Sequence, residues 1–94
     1  MTSVLDDLFG VAKPIIAMLH LPGLPGRPRH DPRAGMPAVI DAVARDLAVL
    51  QEAGVDGLLF CNEADLPYQM GVGPEATAAM AAVIGAVKRE IARP

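Results

Sequence analysis

The stretch PIIAMLHLPGLPGRPRH, residues 14–30, decides the fold. Ile15, Ile16, Ala17, Met18 and Leu19 follow one another without a polar residue, the pattern of a strand covered on both faces, as in parallel sheets. Pro14 suits the opening of such a strand, because a first residue need not donate to the ladder. The run ends in His20 and passes through two Leu-Pro-Gly triplets into a loop carrying Arg27 and Arg29. In each Pro-Gly pair, proline presets one dihedral and glycine accepts a positive φ, so two tandem tight turns are expected. Such a loop is stiff and has little entropy left to lose.

Working outward, GMPAVIDAVARDLAVLQEAG, residues 35–54, reads as an amphipathic helix. Met36, Ile40, Val43, Leu47 and Leu50 are spaced by four, three, four and three, which places them on one stripe. Pro37 fits the first turn, and Gly54 the left-handed position just past the end. VDGLLFC, residues 55–61, is a second short apolar run suited to a buried strand. Pro74 opens another helix, with Glu75 in its first turn and Lys88, Arg89 and Arg93 in its last, an order that matches the helix dipole. Its buried stripe is expected to be Met80, Val83 or Ile84, Val87 and Ile91. At the amino end, Ser3 can cap a short helix through Phe9, with Asp6 and Asp7 in its first turns and Gly10 as its stop.

This order predicts an α/β fold: a leading helix followed by a βαβα unit with right-handed crossovers and parallel strands. Residues 1–94 are expected to form a single incomplete domain. Two parallel strands with helices on one side leave the other sheet face and both edges uncovered. The sequence reaches Ala92-Arg93-Pro94 where a third strand is expected to begin.

The composition supports a buried aliphatic core. Hydrophobic residues make up 52% and aromatic ones only 3%, with mean hydropathy +0.35, which argues against charge-driven disorder and for helices on an aliphatic sheet. A net charge of -3 and a pI near 5.1 lack the global footprint of a nucleic-acid binder, so any anion site must be local. The single cysteine, Cys61, forms no intrachain disulfide and gives no metal-ligand spacing; it reads as a small apolar residue in a reducing, cytoplasmic setting. MTSVLDDLFG, residues 1–10, has no basic region before an apolar stretch, so no signal peptide is expected. The longest low-polarity run, residues 76–87, falls short of the roughly 20 residues needed to cross a bilayer.

Polar groups stand at both strand ends: His20 after the first, Asn62 and Glu63 after the second, with Asp65 and Tyr68 shortly beyond. Ligands of parallel α/β folds bind at the carboxyl ends of strands, where loops converge. Adjacent strands lie about 4.8 Å apart, so groups at matching levels approach closely. A histidine and a glutamate there suit a proton donor and acceptor, or two ligands of a divalent metal. The competing reading is a hydrogen-bonded strand-end histidine with Asn62 and Glu63 satisfying loop amides. Arg27 and Arg29 can grip a phosphate or carboxylate with their forked guanidinium groups, or can be solvated charges on a rigid lid. His30 and Asp31 read as loop polar groups, and the methionines as core filler. The residues leave the cofactor open, and no metal set is assigned.

Several ordered motifs, IIAMLHLPGLPGRP, DLAVLQEAGVDGLLFCNEADLPY and PEATAAMAAVIGAV, resemble the amino-terminal third of the BtpA/SgcQ family from about Lys13 onward. The residues carried over are His20, Pro22, Gly26, Asn62, Glu63, Asp65, Pro67 and Tyr68; His20, Asn62, Glu63 and Asp65 are the expected catalytic residues, and Tyr68, with Arg27 and Arg29, the expected substrate-binding ones. The Asn62-Glu63 order and Leu66-Pro67-Tyr68 resemble the SgcQ branch, found near sugar-metabolism genes, more than the photosystem branch. The resemblance implies a (β/α)8 TIM barrel of the ribulose-phosphate-binding type, of which this chain supplies two strands. It implies either a protein acting on or binding a small phosphorylated, sugar-like metabolite, or a non-catalytic assembly factor of the photosystem I biogenesis kind. Whether the chain is an enzyme stays open between these. A companion chain or a homo-oligomer is expected to complete the sheet, with no nucleic acid and no membrane span.

Overall fold

Ser3 and Asp6 close a reciprocal cap: the Asp6 amide donates to Ser3 Oγ and the Ser3 amide to Asp6 Oδ2, both at 3.2 Å. In the computed structural model, which describes residues 3–66, 71 and 73–94, this cap starts helix α1, Val4–Phe9, and Gly10 ends it with φ of 77°. Two strands follow, β1 at Ile16–His20 and β2 at Gly57–Cys61, with helix α2, Gly35–Glu52, between them. Helix α3, Pro74–Val87, and a 3-10 turn, Lys88–Glu90, complete the order. The mixed α/β reading and the parallel pair are as the sequence predicts.

β1 and β2 pair in parallel, with Ile16 opposite Gly57, Met18 opposite Leu59 and His20 opposite Cys61. Asp56 starts the pair: its carboxylate accepts the Ile15 amide at 2.9 Å, and its own amide donates to the Ile15 carbonyl at 2.9 Å. β2 therefore begins two residues later than the apolar run suggests, because Val55 and Asp56 serve as its approach. At the far end the Leu21 amide donates to the Cys61 carbonyl at 2.8 Å, carrying the pairing past His20.

One sheet face carries the core with α2 and α3. Leu19 is buried against the helices, with Leu58 and Phe60 packed on the same core. On the other face Ile16 and Met18 are each 49% exposed and Leu59 is 50% exposed. The unbroken apolar run thus has the composition of a two-sided strand, while α2 and α3 pack on one side and only Phe9 of α1 reaches the other. α1 leans on the start of β2, where a Cβ on Gly57 would come within 2.7 Å of the Phe9 ring. Val4, Leu5 and Leu8 of α1 are themselves exposed.

Helix α2 buries Val39, Val43 and Leu47, a row of residues four apart, with Met36, Ile40, Ala44 and Leu50 flanking it. The stripe read from the sequence contains Val43 and Leu47 and misses Val39, while its Met36, Ile40 and Leu50 only flank the core. Gly54 takes φ of 87° just past the helix end, as its position predicts. Helix α3 buries Ala76, Ala79, Val83 and Val87, while Met80 and Ile91 only flank the core.

Helix α3 also ends earlier than expected, so Lys88 and Arg89 lie in the 3-10 turn and Arg93 beyond it rather than in a last helical turn. Gln51 draws this segment in: its Nε2 donates to the Glu90 carbonyl at 2.7 Å, and its Oε1 accepts the Ala92 amide at 2.6 Å. The Leu58 amide then donates to the Pro94 carbonyl at 2.8 Å, a single ladder-like bond along β2.

The Leu-Pro-Gly triplets do more than turn the chain. Leu21 and Leu24 are 1% and 0% exposed and belong to the central cluster with Leu19, Val43, Leu47 and Val83. Burying such a leucine contributes roughly 1.5–3 kcal/mol. Only the second glycine uses a left-handed conformation: Gly26 has φ of 85°, within a turn closed by the Arg27 amide on the Leu24 carbonyl at 3.0 Å. Gly23, expected to do the same, is required for a different reason. A Cβ there would meet the Arg29 carbonyl carbon at 2.6 Å and the His30 nitrogen at 2.7 Å, both backbone atoms.

Gly23→Ala is expected to lower stability by about 1–3 kcal/mol, because backbone must move to admit the methyl. Gly85→Ala, inside α3 with nothing within 4 Å of the new Cβ, is expected to raise stability by about 0.5–1 kcal/mol. Denaturant unfolding of both variants checks this, and equal effects at the two sites would contradict it.

Candidate functional site

The carboxyl ends of the two strands bring a histidine and a cysteine together. His20 and Cys61 are register partners, so their side chains leave the sheet on the same face. Cys61 Sγ lies 3.3 Å from His20 Nδ1 and 3.6 Å from the Leu19 carbonyl oxygen. His20 is exposed and Cys61 half-buried. Burial pushes the Cys61 thiol up, and the Glu63 carboxylate beyond it adds to the effect, so the sulfur keeps its proton. His20 also lines an open cleft of about 190 Å³ with Met18, Asp46 and Val49.

The loop after β2 is organised by Asp65, which is only 4% exposed. Its Oδ1 accepts the Leu24 amide at 2.9 Å, and its Oδ2 accepts Asn62 Nδ2 at 3.3 Å. The Asp65 amide returns a bond to the Asn62 carbonyl at 3.0 Å, closing a turn that leaves Glu63 exposed at its tip. Asp65 thus joins the two rim loops across 41 positions of sequence. Its buried carboxylate is engaged by loop donors, which is the work of a structural anchor.

Arg27 is held to the same junction, with Nη2 donating to the Asp65 carbonyl at 3.1 Å. Arg29 is exposed and lines a separate cleft of about 250 Å³, with Gly23, His30, Asp31 and Val39. In that cleft His30 Nδ1 lies 2.9 Å from the Gly23 carbonyl oxygen. Asp31 folds back on the chain, its Oδ1 accepting the Arg33 amide at 3.0 Å. The structure therefore groups His20 with Cys61, and Asn62, Asp65 and Arg27 with one another, while Arg29 stands apart. Tyr68 and Pro67 lie outside the described residues. Among the described residues, no group of three or more His, Cys, Asp or Glu side chains is arranged to hold a metal ion. No helix among them is long and apolar enough to cross a membrane.

Cys61 is the residue that sequence reasoning passed over. A signal was present: it closes the second apolar run as His20 closes the first, so end-to-end pairing of the two runs makes them neighbours.

The model of one protein family, the BtpA family, matches residues 11–94. The chain belongs to the BtpA family. Among relatives, it is 48% identical over 92 residues to the sgc region protein SgcQ of Escherichia coli (strain K12), covering 98% of this chain and 34% of SgcQ. It is 44% identical over 82 residues to the uncharacterized protein PH1209 of Pyrococcus horikoshii, covering 87% of this chain and 31% of that protein. An uncharacterized Archaeoglobus fulgidus protein is 38% identical over 79 residues, 84% of this chain and 31% of its own length. The chain thus spans about a third of these BtpA-family relatives. No solved structure matches it significantly.

Asp65→Ala is expected to destabilise the BtpA-family chain by about 1–3 kcal/mol for each buried donor left unpaired, the Leu24 amide first. Limited proteolysis is then expected to cut within residues 21–30 of the variant faster than in the wild-type chain. Unchanged stability and an uncut loop would contradict the anchoring role.

Proposed function

We propose that this chain contributes the first two βα units of a (β/α)8 barrel of the ribulose-phosphate-binding type, which acts on or binds a small phosphorylated, sugar-like metabolite in the cytoplasm. The observation that carries the reading is the parallel register that sets His20 opposite Cys61, so that Asn62 and Glu63 leave the sheet at the rim where His20 stands. The carboxyl rim of a parallel sheet is the customary ligand site of such folds. The length of the relatives supports it further, since about two-thirds of SgcQ lies outside the match.

In this reading His20 and Glu63 serve as proton donor and acceptor, and Asn62 hydrogen-bonds the ligand. Arg27, held against the Asp65 carbonyl, and Arg29, in its cleft, supply cationic groups for a phosphate. Tyr68 is assigned to the same ligand on the strength of the family resemblance. Asp65 maintains the loop that presents Arg27. The open face formed by Ile16, Met18 and Leu59 is covered by further strands, from a longer polypeptide, a companion chain or a second copy.

Thermal unfolding of the chain and of full-length SgcQ with a panel of sugar phosphates tests this. A rise in Tm with at least one phosphorylated sugar is expected, absent with the unphosphorylated sugar and lost in His20→Ala and Glu63→Ala of any form that responds. No response of either protein, together with retention of a defined protein partner, would favour a non-catalytic assembly factor.

A further inference from the structure

We propose that Cys61 is a positioning residue for His20: its thiol donates a hydrogen bond to Nδ1, holding the neutral imidazole as the Nε2–H tautomer with that N–H at the rim. The purpose of this arrangement rests on the reading of the rim as a proton-handling site, whereas its geometry does not. The two side chains share a register position and a face, and sulfur and nitrogen are 3.3 Å apart. A single proton lies between them in the neutral pair, and which atom carries it sets the tautomer of the ring.

Two acceptors compete for the thiol proton. The imidazole nitrogen is nearer than the Leu19 carbonyl oxygen, 3.3 Å against 3.6 Å, and it is the stronger base. Burial and the nearby Glu63 charge keep the sulfur protonated and therefore able to donate. Nδ1 is then the bare nitrogen and Nε2 carries the hydrogen. Neutral His20 consequently meets a rim ligand as a donor at Nε2, which leaves the acceptor's part to Glu63.

The second histidine of the chain provides an internal contrast. His30 Nδ1 faces the Gly23 carbonyl at 2.9 Å, and a carbonyl only accepts, so His30 is the Nδ1–H tautomer. The two rings are predicted to be opposite tautomers in one molecule.

Long-range proton–nitrogen correlation spectra of the full chain, labelled with nitrogen-15 in histidine, read both tautomers at about pH 8, above the ordinary imidazole range. The expected spectrum shows His20 as Nε2–H and His30 as Nδ1–H. In Cys61→Ala, His20 should lose its single-tautomer signature and show both forms while His30 stays unchanged; Cys61→Ser, which retains a donor, should restore it. His20 found as Nδ1–H in the wild type, or a His20 pattern identical in wild type and Cys61→Ala, would overturn the proposal. A wild-type spectrum with His20 as Nδ1–H overturns the proposal even if a variant fails to fold, and the contrast with Cys61→Ser and Cys61→Ala supports it. No result depends on sugar phosphates, so failure of the functional reading is recognised separately.

Discussion

Parallel pairing between Ile16–His20 and Gly57–Cys61 is the constraint on which the rest of the molecule depends. Parallel strands require a crossover, and α2 supplies it, covering one sheet face with Val39, Val43 and Leu47. The register also decides which side chains meet. A shift of one residue would turn Leu19 out of the core and His20 into it, because neighbouring strand residues face opposite sides. One hydrogen-bonded ladder therefore sets both the burial of the core and the meeting of His20 with Cys61.

The loop after β1 shows how core and rim are coupled. Leu21 and Leu24 are as buried as any strand residue, so the turns between them are held by the core rather than by proline stiffness alone. Asp65 reaches from the second loop to the Leu24 amide, and Arg27 reaches back to the Asp65 carbonyl. Each loop thereby orders the other, and the entropy of arranging the rim groups is lost on folding.

Much of this architecture can be read directly from residues. Unalternating Ile15–Leu19, Pro37 near the start of α2, Gly54 after its end and the Ser3–Asp6 cap are local signals with local causes, and the structure has them where expected. Departures arise where a residue answers to a distant partner. Gly23 is needed because the chain doubles back to Arg29 and His30, a contact no turn rule contains. Val39 joins Val43 and Leu47 of the expected stripe in the buried row, where Met36, Ile40 and Leu50 stand to the side. The placement of His20 at a strand end was legible from the run it terminates. Its link to Cys61 required the register, and the burial of Asp65 required knowing that Leu24 lies against it across 41 positions.

Open apolar surface on the second sheet face follows from the same pairing. Ile16, Met18 and Leu59 have strand-core character yet face outward, as do Val4, Leu5 and Leu8 of α1. The BtpA-family relatives are about three times longer. The most direct test of the account is a cross-strand nuclear Overhauser spectrum of the isotope-labelled chain. Parallel pairing predicts contacts of Met18 with Leu59 and of His20 with Cys61; contacts of His20 with Gly57 and of Ile16 with Cys61 would mean antiparallel strands, and would contradict it.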